Sequence, residues 1–367
     1  MNYLKLFFLF LTFIFNKNLI FSQTLTLSYH LGQTVKNNPI FPPLLAPAQG
    51  LAVKYSPARS FRSQWARLYP RTRLTFEASS QFLGNAAVLG WAWGGLAGLD
   101  FPLYQQKKHS FNTRLYLGLA VLSRHYDSFR NPQNVVIGSA LNAFGKIEAA
   151  YSYQIKPFLG LNLGLAVLHY SNAGVQSPNL GINIIALSAG ISYNFNLVKV
   201  NYFDSLNIKP KISYNKKYRP FIQTNLGLTS VASRGAKFPI YTLFVGASKQ
   251  FSPKGCVSAG LEWVYNTATF ELYSHIAGQN LPKSQFYRYS FMAQYEFIFA
   301  RLALVAGGGI YLNRHVAQRS IFSSKIGLNF YPRSLWKTAP FHSWIGIQVR
   351  AYFGEAEFAE LVAGFRF

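Results

Sequence analysis

A membrane-spanning antiparallel β-barrel is the fold class this sequence predicts, and three observations predict it. Half of the 367 residues are hydrophobic and 17% are aromatic, while only 13% are charged; a soluble protein of this length normally carries more charge. After the first residues, no apolar run is long enough to cross a bilayer as a helix. The apolar residues instead recur with a period of two, in segments separated by turn residues. Only helices and closed barrels satisfy every backbone group inside a bilayer, and the period of two selects the barrel.

The chain opens "MNYLKLFFLFLTFIFNKNLIFSQ". One lysine precedes an apolar run from Leu6 to Phe15, and small or polar residues follow at Ser22 and Gln23. The run is short and lacks a stop-transfer pattern, so residues 1–23 are expected to be a secretory signal peptide. Cys256 is the only cysteine, which excludes an internal disulfide framework and a thiol cluster for zinc, and gives no support to a lipid anchor at the expected cut.

Residues 24–367 are expected to form a single outer-membrane barrel. "NNPIFPPLLAPAQG" is expected to be an early loop, followed by the glycine-rich wall segment "NAAVLGWAWGGLAGLDF". Then come "TRLYLGLAVLSRHYD", "IEAAYSYQI", "FLGLNLGLAVLHY", "ALSAGISYNFN", "RPFIQTNLGLTSVA", "YTLFVGASKQF", "CVSAGLEWVYNTATF" and "YSFMAQYEFIFARLALVAGGGIYL", with turns such as "QIKPFL", "KQFSPKG" and "NFYPRS" between segments. This is material for about 12 to 14 strands, taking such barrels as even-numbered. The last segment, "EFAELVAGFRF", puts Ala359, Leu361, Ala363, Phe365 and Phe367 on one face and Glu360, Val362, Gly364 and Arg366 on the other. A final amphipathic strand ending in phenylalanine resembles the signal read by the barrel assembly machinery, which makes that machinery an expected partner.

One stretch breaks the apolar pattern: "LHYSNAGVQSPNLGIN", Leu168 to Asn183. In the preceding strand the odd positions Leu159, Leu161, Leu163, Leu165 and Val167 form a continuous apolar row. Side chains alternate across a strand, so this row faces lipid and His169 and Ser171 extend it. In the next strand Ile185, Leu187 and Ile191 share their face with Asn183. The three polar residues are therefore expected to meet on the outer wall. The turn at "QIKPFL" is short and "SNAGVQSPNLGI" is longer, which places His169 toward the cell exterior. There a nucleophile and a base on the lipid face would be placed to attack an acyl ester of the outer leaflet.

At these residues the sequence resembles the lipid A 3-O-deacylase family, the PagL type also called acyloxyacyl hydrolases. The shared features are His169, Tyr170, Ser171 and Asn172, then Pro178, Asn179 and Gly181. Upstream, Asn131, Pro132, Asn134, Ile137, Gly138, Ser139 and Asn142 in "RHYDSFRNPQNVVIGSALNAF" also match. The resemblance implies a hydrolase of lipid A that removes the 3-hydroxyacyl chain at the 3-position without metal or other cofactor. It implies Ser171 as nucleophile and His169 as general base. Asn172, Asn179 and Gly174 would position substrate and stabilise the oxyanion.

Family members orient the histidine with a glutamate, and this chain has Asn183 at that position. An amide can hold an imidazole tautomer but cannot offset the imidazolium charge; in the serine-protease template the same exchange lowers turnover by on the order of 10⁴-fold. Only eleven acidic residues exist. Glu148 falls on the luminal face with Asn142, Lys146, Ser152 and Gln154. Asp127, expected at the outer end of its strand and in register with the apolar row, is the alternative acid.

The net charge of +25 is dispersed over loops and strand ends such as "RSQWARLYPRTR", "QQKKH" and "YNKKYRP". In a secreted barrel this pattern suits lipopolysaccharide phosphates rather than nucleic acid. The alternative function is a non-catalytic barrel, porin-like or lipopolysaccharide-binding, and the lumen discriminates: a channel needs an open polar interior.

Overall fold

The structure is a computed structural model that describes residues 23–58, 64–195, 213–230, 235–276, 282, 286–313, 320–333, 335, 341–352 and 355–367. The expected signal peptide lies outside the described residues except for Gln23. The first eight strands are β1 (Gln23–Val35), β2 (Ala48–Ser56), β3 (Arg73–Phe82), β4 (Trp91–Gln106), β5 (His109–Leu122), β6 (Leu141–Lys156), β7 (Leu159–Ser171) and β8 (Ile182–Phe195). Each pairs antiparallel with the next, and β8 pairs back onto β1 from Gln23↔Phe195 to Val35↔Asn183, which closes the sheet. Eight more follow: β9 (Arg219–Ser230), β10 (Lys237–Ser252), β11 (Gly255–Asn266), β12 (Tyr287–Phe299), β13 (Leu302–Tyr311), β14 (Phe322–Phe330), β15 (His342–Tyr352) and β16 (Glu355–Arg366). They close a second barrel, β16 pairing with β9.

The all-β barrel class is thus as the sequence predicts, but the expectation of one barrel over residues 24–367 with about 12 to 14 strands is corrected: among the described residues, sixteen strands close twice. Part of the difference is a hidden turn. "YSFMAQYEFIFARLALVAGGGIYL" reads as one long segment, yet β12 ends at Phe299 and β13 starts at Leu302. Ala300 makes the corner in the left-handed region, at φ 62°. No glycine, proline or asparagine announces it.

The alternation holds in both barrels. On β7 Leu161, Leu163, Leu165 and Val167 are exposed and Asn162, Ala166 and Leu168 are buried. On β16 Leu361 is 63% exposed, whereas Glu360, Val362 and Arg366 are buried. Exposed Leu, Ile, Val and aromatic side chains cover both outer walls, an apolar belt that hydrocarbon can cover and water cannot.

Inside, the polar row is neutralised by ion pairs. In the first barrel Arg114 Nε donates to Asp100 at 3.0 Å and Nη1 to Glu148 at 3.2 Å. Lys146 Nζ lies 2.9 Å from Glu77, and Ser188 donates to Glu148 at 2.7 Å. In the second, Glu262 binds Lys325 and Arg350, Lys325 also reaches Glu360 at 3.1 Å, and Tyr331 donates to Glu296 at 2.7 Å. These side chains are almost fully buried. Charges in a low-dielectric interior persist only when paired, and here the pairs fill the lumen. Glu148 is luminal, as its parity requires.

Candidate active site

The β7–β8 hairpin brings His169 and Asn183 directly opposite each other. Asn183 Oδ1 lies 2.7 Å from His169 Nδ1. An amide oxygen accepts, so Nδ1 carries the proton and Nε2 keeps its lone pair, the tautomer a general base requires. The imidazole is exposed on the wall. Gly181, at φ 73°, leaves room for it: a Cβ there would stand 3.1 Å from His169 Cε1.

Ser171 ends β7 on the same row, about 6.6 Å farther along the backbone. Its surroundings differ from the sequence expectation. It is only 5% exposed, because the chain folds back over it through Ala173 (φ 55°) and Gly174 (φ 78°). Two donors converge on Ser171 Oγ, the Ala173 N–H and Asn179 Nδ2, each at 3.0 Å. The amide oxygen of Asn179 accepts from the Asn172 N–H at 3.0 Å and lies 3.2 Å from Ser171 Oγ.

The other two residues expected at the oxyanion serve the loop itself. Asn172 Oδ1 accepts from the Gly174 N–H at 3.1 Å, and its Nδ2 donates to the Gln176 carbonyl at 2.6 Å. The Gly174 N–H is therefore already engaged. The Ala173 N–H, which the sequence did not single out because a backbone donor has no residue signature, donates to Ser171 Oγ.

The upstream motif supports Asn179 rather than the reacting atoms. Ile137 bridges Asn179, and the Leu180 N–H donates to the Val136 carbonyl at 2.8 Å. Asn134 Oδ1 accepts from the Val136 and Ile137 N–H groups, while Asn131 and Asn134 both donate to the Val88 carbonyl. A Cβ on Gly138 would lie 2.4 Å from the Ser177 carbonyl, so this glycine permits the two loops to touch. Asp127 is not in register with the apolar row as expected: β5 ends at Leu122, and Asp127 Oδ1 accepts from the Phe129 and Arg130 N–H groups at 2.9 and 3.0 Å. Its carboxylate caps a turn of its own loop, and the imidazole's partner is Asn183.

Two family models match the chain: lipid A 3-O-deacylase (PagL) over residues 49–192, and acyloxyacyl hydrolase, C-terminal domain, over residues 218–367. The chain belongs to the lipid A 3-O-deacylase (PagL) family. The first match spans β2 to β8 with the His169–Ser171 hairpin, and the second coincides with the second barrel. No curated protein sequence matches. Among solved structures, the chain is similar to the outer membrane enzyme PagL, at 19% identity over 45% of this chain and 97% of that one, TM-score 0.32. It is similar to Neisserial surface protein A at 12% identity over 47% and 97%, TM-score 0.31. Similarity to OccK1 (OpdK) of Pseudomonas aeruginosa covers 94% and 97% at 13% identity, TM-score 0.22.

Proposed function

We propose that this protein is an integral outer-membrane lipid A 3-O-deacylase, hydrolysing the ester of the 3-hydroxyacyl chain at the 3-position through a Ser171 acyl-enzyme. The single observation that carries the reading is the hairpin geometry. An imidazole with a free Nε2 stands on the lipid-facing wall, two residues from a hydroxyl on which two N–H donors converge. Family membership supplies the reaction class, and the apolar belts of both walls support the membrane seat.

In this mechanism His169 Nε2 takes the Ser171 proton as Oγ attacks the ester carbonyl. As Oγ becomes an ester oxygen, the Ala173 N–H and Asn179 Nδ2 are the nearest donors for the oxygen that gains charge. Collapse expels the sugar hydroxyl, protonated by His169, and water attacking the acyl-enzyme by the same route releases the fatty acid. Asn183 holds the imidazole throughout without offsetting its charge, so the reading includes slow turnover. A porin-like function receives no support from lumens packed with paired side chains.

The test is mass spectrometry of lipid A from cells expressing wild type or Ser171→Ala. Loss of one hydroxyacyl mass with wild type alone supports the assignment, and identical spectra from folded, abundant protein refute it.

A further inference from the structure

The loop that covers Ser171 is held from outside its own barrel. Thr229 Oγ1 donates to the Gly174 carbonyl at 2.9 Å. Lys237 Nζ donates to the Val175 carbonyl and to Gln176 Oε1. The Ser177 N–H donates to Ser230 Oγ at 3.0 Å, and Ser177 Oγ donates to the Ser230 carbonyl at 3.1 Å. Each of the four residues 174–177 is thereby tied to the end of β9 or the start of β10. The backbone of β16 also presses on the loop, since a Cβ on Gly174 would lie 2.2 Å from the Glu357 carbonyl. On either side of this tethered run stand Ala173 and Asn179, the two residues whose N–H groups converge on Ser171 Oγ.

A second contact joins the barrels at their opposite ends. Between β2 and β3 a short helix, Gln64–Leu68, leads to Tyr69, whose hydroxyl donates to the Ile298 carbonyl at 2.7 Å. The Tyr69 ring stands 5.0 Å from that of Phe299, and Trp65 and Leu68 pack on the second barrel's core. Contacts at both ends oppose sliding and tilting of one barrel against the other.

We propose that the second barrel positions the active-site loop of the first, with Thr229, Ser230 and Lys237 as positioning residues that hold the Ala173 and Asn179 donors on Ser171. The inference rests on the reading of Ser171 as nucleophile. Its physical basis is that a loop with two left-handed residues and no regular ladder, closed on itself only through Asn172, is fixed further where outside groups accept and donate to it. A displacement of the order of 1 Å at such donors costs up to about a hundredfold in rate.

The experiment uses the full chain in detergent–lipopolysaccharide micelles, with folding of each variant checked by heat-modifiable gel mobility. Thr229→Val combined with Lys237→Met is expected to lower kcat by about tenfold or more and leave KM within about twofold. Thr229→Ser and Lys237→Arg, which keep a donor at each place, are expected to restore it. Hydrogen exchange of the 173–177 amides, expected to accelerate in the double variant, reports on the loop without reference to activity. Unchanged exchange and unchanged kcat in the folded double variant overturn the proposal, as does faster exchange with kcat intact. If wild type itself proves inactive, the deacylase reading fails, and faster exchange alone then upholds the tether between the barrels.

Discussion

The two barrels have equal strand numbers and the same way of filling their interiors, and one place where they differ is the hairpin between their seventh and eighth strands. In the first barrel, the seventh and eighth strands are joined by residues 172–181, a loop long enough to fold back over its own strand end. In the second, the corresponding strands β15 and β16 are separated only by residues 353–354. Where β7 ends in His169, Tyr170 and Ser171, β15 ends in Arg350, Ala351 and Tyr352, and Arg350 is buried against Glu262. The closed, ion-paired wall is therefore scaffold common to both. What makes the first barrel a candidate enzyme is a polar pair at the end of an outward row followed by a loop that brings donors to it.

The comparison is tested most sharply by removing the pair. Ser171→Ala is expected to lower deacylation by on the order of 10³-fold or more, with folding unchanged. Activity that survives in pure Ser171→Ala protein would move the site elsewhere, the second barrel included. The shared scaffold comes next. Glu262→Gln removes the carboxylate that Arg350 binds, while Lys325 keeps Glu360; Glu148→Gln leaves Arg114 with Asp100 and Lys146 with Glu77. Glu262→Gln is expected to cost about 3–5 kcal/mol, the penalty of an uncompensated buried charge, and Glu148→Gln less, both measured by urea unfolding in detergent. Losses far below that in both barrels would mean the networks do not support the walls.

Leu187 and Leu361 occupy matching mid-strand places on the two outer walls, 68% and 63% exposed. Arginine at either position is expected to cost about 2–4 kcal/mol in lipid bilayers, as it does at the midplane of such barrels. A cost at Leu187 alone would show that the second wall does not face lipid. The smallest expected effect is a gain. Asn183→Glu gives the imidazolium a counter-charge and is expected to raise kcat by about tenfold to a hundredfold, part of the roughly 10⁴-fold that separates carboxylate from amide in the protease template. A variant no faster than wild type would show that Asn183 already suffices.

Much of this was legible beforehand. The facing of Leu161 to Val167, of Glu148 and of the final strand follows from parity alone, and so does the meeting of His169 with Asn183 across the hairpin. Other features were not legible. Asp127 had the parity of an outward residue, but β5 stops at Leu122, so the parity no longer applied. Asn172 and Gly174 matched the motif, yet their polar groups close the loop, while the donor nearest Ser171 beside Asn179 is the backbone of Ala173.

The sequence by itself determined the β-barrel class and the two faces of each strand, because a period of two is a property of one strand and needs no partner to be read. Only the tertiary structure decided that β8 returns to β1 and leaves β9 to begin a second barrel, and that Ser171 is covered while His169 is open. Closure depends on hydrogen bonding between strands more than 150 residues apart, such as Gln23 with Phe195. The cover over the serine depends on a loop held by Thr229, Ser230 and Lys237 of the other barrel.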